Sequence, residues 1–180
     1  MQFHPPYDKM KILDATAGNR AMWVNKKHPL ATYIDIRPDV KPDIVISCAK
    51  TNFKDKEFDL IVFDPPHQGY TENNKGQMAK RYGYLRAHQI RELIKDAFVE
   101  FKRILKDDGF VIFKWNDHDQ KLDKILKLIL DFEPLFGQIT SKRTAGRSDY
   151  SASTYWICMI KNKGGETQKP LAFVEQSSIA

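Results

Sequence analysis

The chain has 180 residues, 42% of them hydrophobic, with a formal charge of +6 and an isoelectric point near 9.2. That length suits one core and is short for two, and apolar residues spread along the whole chain exclude a disordered protein. No apolar run nears the roughly 20 residues of a membrane span, and MQFHPPYDKM lacks the layout of a signal peptide, so no membrane partner and a soluble, cytoplasmic location are expected.

The first predicted element is KILDATAG (11–18), apolar and then stopped by glycine. NRAMWVNKKHP follows and is read as a short helix ended before Pro29. ATYIDIR (31–37), DIVISCA (43–49) and FDLIVFD (58–64) read as strands, the last two nearly continuous in apolar residues and so expected to be buried on both faces. From His88 to Lys106 the residues Ile90, Leu93, Ile94, Ala97, Phe98, Phe101, Ile104 and Leu105 form a helical stripe, with Gly109 as a left-handed cap. FVIFKW (110–115) is the next strand and Asp119 to Phe132 a second amphipathic helix. FGQITSKR and STYWICMIK close the order as an antiparallel pair. Seven strands alternating with helices predict an α/β fold: a mostly parallel sheet with helices on both faces and a C-terminal antiparallel hairpin. Residues 1–163 form one domain, and 164–180, which lose periodicity, a loosely held tail. Cys48 and Cys158 sit in apolar strands, as buried thiols do in a reducing compartment.

In such sheets ligands bind beyond the carboxyl ends of the strands. After the first strand stands Asp14-Ala15-Thr16-Ala17-Gly18, a small-residue turn that lets a ligand approach the backbone, although such a turn also needs glycine on steric grounds alone. Asp35 ends the second strand, 21 positions after Asp14. An acid at that distance can take both hydroxyls of a ribose. The turn is not GxGxxG, which disfavours a dinucleotide oxidoreductase and suits a nucleoside cofactor without phosphates. S-adenosylmethionine fits: Asp14 for its ammonium, Ala15 to Gly18 along its tail, Asp35 for the ribose and Ile36 against the adenine. Cys48 lies in the turn that passes near the adenine edge.

The fourth strand stops in Asp64-Pro65-Pro66-His67. Following Asp14 to Gly18 and Asp35 in that order, this resembles the class I S-adenosylmethionine-dependent methyltransferases, in particular the amino-methylating group with a D/N/S-P-P-Y/F/W/H motif, known for adenine N6 methylation. The resemblance spans residues 10 to 160 and implies a Rossmann-like seven-stranded fold. It also departs from the pattern: Asn19 and Arg20 replace a second glycine, and His67 the commoner tyrosine. The chemistry it implies is positional. An exocyclic amine attacks a methyl group poorly while its lone pair is delocalised into the ring. Asp64 and the Pro65 carbonyl can accept its two N–H groups and restore tetrahedral geometry, Pro66 stiffens the turn, and His67 stacks on the target ring. Asp64 also borders the cofactor, and no metal is required.

For the target, two basic loops are candidates. Tyr70, Lys80, Arg81, Tyr84 and Arg86 follow the motif, and Lys142, Arg143 and Arg147 join the last two strands. Basic residues interleaved with aromatics suit phosphate contact and base stacking, so DNA or RNA is the expected partner. Without room for a separate recognition domain, a partner protein or a second copy could supply target choice. A catalytically silent binding subunit, or a protein or small-molecule amino methyltransferase, are the alternatives. Trp115 is assigned to the core, with Asn116 beside it at the strand end.

Overall fold

The computed structural model describes residues 9–68, 85–141 and 153–162. Its strands are β1 (Ile12–Asp14), β2 (Ala31–Asp35), β3 (Ile44–Val45), β4 (Phe58–Phe63), β5 (Leu105–Asn116), β6 (Phe132–Ser141) and β7 (Ser153–Lys161). Two helices, α1 (Ala87–Ile104) and α2 (Leu122–Leu126), lie before and after β5. The seven strands form one sheet in the order β3-β2-β1-β4-β5-β7-β6. β1 pairs in parallel with both β2 and β4, and β4 with β5, while β7 runs antiparallel between β5 and β6. The expected C-terminal hairpin is therefore present, with β7 inserted and β6 at the edge.

Alternation along β4 and β5 decides which face is sealed. Ile61 and Phe63, with Val111, Phe113 and Trp115, are 0% exposed, whereas Val62 and Ile112 between them are half-buried. The sealed face receives α1, whose buried stripe is Ile90, Ile94, Ala97, Phe98, Phe101 and Ile104. Spacings of three and four put these on one side of a helix, as the sequence predicts. Phe98 sits edge-on to Phe63, Phe113 and Phe132, with ring centroids 5.9, 5.7 and 5.1 Å away, and Phe101 sits 5.0 Å from Phe63. Trp115 belongs to this core, its indole N–H donating to the Gln120 carbonyl at 2.9 Å. The start of α1 is fixed by Gln89, whose side-chain oxygen accepts the Arg86 backbone N–H at 2.8 Å.

Several expectations change. The segment after β1 is a series of turns: Arg20 adopts φ 54°, which no helix tolerates, and its guanidinium bonds to the Lys26 carbonyl and Asp43. The β1–β2 connection thus adds no helix to the second face, and helices on both faces are not seen among the described residues. β3 is only two residues long, half-buried at Ile44 and exposed at Val45, because at the sheet edge just β2 pairs with it. Gly109 is not a helix cap. The chain turns extended at Leu105, directly after α1, and Gly109 lies inside β5, where a Cβ would come within 2.9 Å of the Asp59 carbonyl. That approach accompanies a register shift between Phe58 and Leu60. The second helix closes after Leu126, and Ile129 and Phe132 reach the core through tighter i→i−3 turns while Leu130 stays 72% exposed. β6 carries Pro134 and an irregular register between Pro134 and Phe136.

Cys48 and Cys158 are both buried, as expected. No helix among the described residues is long and apolar enough to cross a membrane. The tail 164–180 lies outside the described residues.

Phe98→Ala should lower the unfolding free energy by about 3–5 kcal/mol, since the ring joins α1 to β4, β5 and β6. Urea denaturation measures this, and a loss below about 1 kcal/mol would show that the helix is held elsewhere.

Candidate active site

β1 ends on Asp14, which is 1% exposed. Its Oδ1 accepts the Thr16 N–H at 3.3 Å and its Oδ2 the Trp23 indole N–H at 2.7 Å. Burial pushes the Asp14 carboxyl up to about 6. The Trp23 and Thr16 bonds oppose the rise, and the charges of Asp64 and Asp35 add to it. Trp23 is itself set by Tyr33, which it meets edge-on at 5.1 Å, and the Arg20 guanidinium lies 3.9 Å over the same tyrosine ring. Aromatic packing thus replaces the expected helix, and the indole occupies one of the Asp14 oxygens expected to face a ligand ammonium.

The turn then passes Ala15 and Ala17, both buried, to Gly18, whose φ of +48° favours glycine. Its N–H donates to Asp35 Oδ2 at 2.9 Å. Asp35, 8% exposed, also accepts the Arg37 N–H at 2.9 Å and pairs with the Arg37 side chain at 3.3 Å. Held from both sides, this carboxylate has a fixed direction. Ile36 next to it is 64% exposed and offers an apolar plate beside the acid. Cys48 is 5% exposed, and burial pushes its thiol up to about 12, which leaves it neutral and unreactive.

β4 delivers Asp64 one residue beyond Phe63. The Asp64 N–H donates to Thr16 Oγ1 at 3.0 Å, which ties the β1 turn to the DPPH turn. Asp64 Oδ2 pairs with Lys114 Nζ at 2.7 Å, both side chains being about one-quarter exposed. Lys114 in turn lies 5.3 Å from the centre of the Trp156 ring. Pro65 is buried, and Pro66 and His67 are half-buried. The His67 imidazole bonds to the Pro65 backbone, where only the carbonyl is available because proline lacks an N–H, and it meets Trp115 edge-on at 6.4 Å. Burial moves its pKa below the usual histidine value, with Lys114 acting in the same direction against the charge of Asp64. A neutral ring results near pH 7.

Asp14, Thr16, Gly18, Asp35 and Asp64 are therefore one connected group. Arg86 is the residue before α1, and its backbone N–H bonds to Gln89. Tyr70, Lys80, Arg81, Tyr84, Lys142, Arg143 and Arg147 lie outside the described residues. Lys114, Trp23 and Asp117 were not legible as site residues. Asp117 is buried and accepts the Ser153 N–H at 2.8 Å and the Tyr155 hydroxyl at 3.3 Å, fixing where β7 begins. Lys114 carried one signal: it follows four apolar positions of a strand that pairs with β4, at the height where Asp64 leaves the sheet. Among the described residues no cluster of ligating side chains could hold a metal ion. A cleft of about 520 Å³ opens at the opposite end of β1, by Lys11, Leu30 and Phe58, away from this chemistry.

No protein-family model and no curated protein matches the sequence. Solved structures do match its fold. A protein from Pyrococcus horikoshii superposes with a TM-score of 0.58 at 14% identity, over 87% of this chain and 84% of its own. A TehB-like SAM-dependent methyltransferase from Corynebacterium glutamicum gives 0.55 at 15% identity, over 86% of this chain and 81% of its own. The cyclase SpnF gives 0.52 at 12% identity, over 88% of this chain and 79% of its own. At these identities the likeness concerns the fold, a Rossmann-like sheet found in a methyltransferase and in a cyclase alike. Function has to be argued from the site.

A folded-state value near 6 for Asp14, against an ordinary 3.8, means that its protonation stabilises the fold below about pH 4 and that this contribution is lost as pH rises through about 6. The shift corresponds to about 3 kcal/mol. Asp14→Asn should remove that loss, so the stability difference between variant and wild type moves toward the variant by about 3 kcal/mol across this window. Denaturation of both proteins from about pH 4 to 8 measures it, and a constant difference would show that Asp14 ionises as an ordinary carboxylate.

Proposed function

We propose that this protein binds S-adenosylmethionine across the carboxyl ends of β1, β2 and β4 and transfers its methyl group to an exocyclic amino group of a nucleic-acid base, adenine N6 first among them. The observation that carries this reading is the joining of three turns by two hydrogen bonds: Asp64 N–H to Thr16 Oγ1, and Gly18 N–H to Asp35. The acid proposed to hold the cofactor ribose and the acid proposed to hold the substrate amine are thereby set relative to one loop. Three carboxylates near one another also favour a cationic ligand, and the sulfonium and ammonium groups of the cofactor supply one.

The cofactor tail would run along Ala15 to Gly18, with its ribose hydroxyls toward Asp35 and its adenine against Ile36. Asp14, with its Oδ2 taken by Trp23, would act on the ammonium through Oδ1 or through water. The substrate amine would place one N–H on Asp64. For the Pro65 carbonyl to take the second, His67 must swing off it, which also frees the ring to stack on the base. Bound there, the cofactor would supply a methyl group on a sulfonium, to be taken by the nitrogen lone pair while the S–CH₃ electron pair stays on sulfur as a neutral thioether. Asp64 would pass the nitrogen's surplus proton to solvent. In-line placement supplies the acceleration. The chain's charge of +6 favours a polyanionic substrate, and a base in a duplex would have to be flipped out.

Asp64→Ala should keep cofactor affinity within about threefold and lose transfer by about 100-fold or more, the scale of one removed transition-state contact. Calorimetry with S-adenosylmethionine, and label transfer into DNA, rRNA and tRNA pools, check the two halves. Cofactor binding without label in any pool would overturn the nucleic-acid reading, and equal transfer by the variant would overturn the role of Asp64.

A further inference from the structure

The pairing of Asp64 with Lys114 sets an acceptor and a donor side by side at the carboxyl ends of neighbouring strands. From it we infer that the protein selects bases whose amino group adjoins an unprotonated ring nitrogen on the Watson–Crick edge, with Lys114 as the group that reads that nitrogen. This rests on the proposed function and narrows its substrate class.

The geometry supplies the argument. Lys114 Nζ lies 2.7 Å from Asp64 Oδ2, so one ammonium hydrogen is committed to that oxygen. An ammonium carries three N–H donors and no acceptor, a carboxylate only acceptors. Oδ1 of Asp64 receives no bond from this lysine, and a second Lys114 hydrogen remains to face the same ligand. The ammonium also lies 5.3 Å from the centre of the Trp156 ring, because Lys114 pairs with Trp156 across β5 and β7. Two anchors leave a long, flexible side chain little freedom. The result is an acceptor and a donor held 2.7 Å apart, on the scale of a single amidine.

Adenine offers the complement along its Watson–Crick edge: N6–H donates and N1 accepts, separated by one carbon. Cytosine offers the same through N4–H and N3. Along this edge guanine presents N2–H and N1–H, two donors, and would aim a hydrogen at the ammonium; its acceptor N3 lies on the other side of the amine, toward the sugar. Thymine and uracil have no amino group. Enzymes that act on an extruded base read it along this edge. The pair would thus both hold the reacting nitrogen and reject the guanine amine, which Asp64 alone cannot distinguish. Lys114 acts here as a specificity residue touching the ring, while Asp64 touches the amine.

The test uses short single-stranded oligonucleotides that carry one adenine, one 1-deazaadenine (N1 replaced by C–H) or one guanine. Binding is read by calorimetry with S-adenosylhomocysteine present, and transfer from labelled S-adenosylmethionine is followed in parallel. Loss of N1 should weaken wild-type binding about tenfold or more, and guanine at least as much. In Lys114→Met the adenine and deaza-adenine oligonucleotides should bind alike, and Lys114→Arg should restore part of the preference. A residue that merely shaped the fold would weaken both equally and leave the preference intact. Equal wild-type binding of the two oligonucleotides, a preference that survives in Lys114→Met, or no binding of any oligonucleotide overturns the inference. Transfer without discrimination overturns it while the proposed function stands. Discrimination without transfer supports it and sinks the transferase reading.

Discussion

The whole site depends on where β4 ends, and that is fixed by one buried ring. Phe63 is sealed between Phe98 and Phe101 of the helix and stacks 5.9 Å from Phe113 of the neighbouring strand. With Phe63 locked into that face, the next residue must emerge at the sheet's end. Asp64 therefore leaves beside Lys114 on one side and the β1 turn on the other. A strand displaced by one residue would exchange its two faces and bury the acid. Two prolines then hold the chain to its new direction.

Electrostatics divide the site into unequal halves. On the side proposed for the cofactor Asp14 is so deeply buried that its charge is resisted, and Asp35 is held by Gly18 and Arg37. On the side proposed for the substrate Asp64 has a lysine partner and stays reachable by solvent. Acids that differ in burial and partner are suited to different tasks: one to shaping the field, one to direction, one to accepting a proton. A half-buried histidine kept neutral beside Asp64 avoids adding a positive charge where, on the proposed reading, a sulfonium would sit.

Much of this was legible in the sequence. The apolar runs of β1, β2, β4 and β5, the stripe from Ile90 to Ile104 and the closing hairpin each follow from periodicity. Asp14, Gly18, Asp35 and Asp64 stand out because each falls at the end of a strand or in the turn after it. What sequence could not give was set by contacts between distant residues. NRAMW has helical composition, but Arg20 and Trp23 gain more by packing on Tyr33 than by continuing a helix. Gly109 looks like a cap until the β4 backbone is seen close against it. Lys114 reads as a surface lysine until the register places it against Asp64. Asp117 gave no pattern at all, because its partners lie 36 and 38 positions away.

One feature far from the site bears on the life of the protein in a crowded cell. β6 is a ten-residue outer strand, and an outer strand invites other chains to add to it. Its neighbouring apolar side chains, Leu135 and Phe136, are 54% and 70% exposed, which would make such addition sticky. Pro134 stands immediately before them, without an amide hydrogen to offer, and the ladder slips its register at the same place. The stickiest part of the rim is thus the part least able to template a new strand.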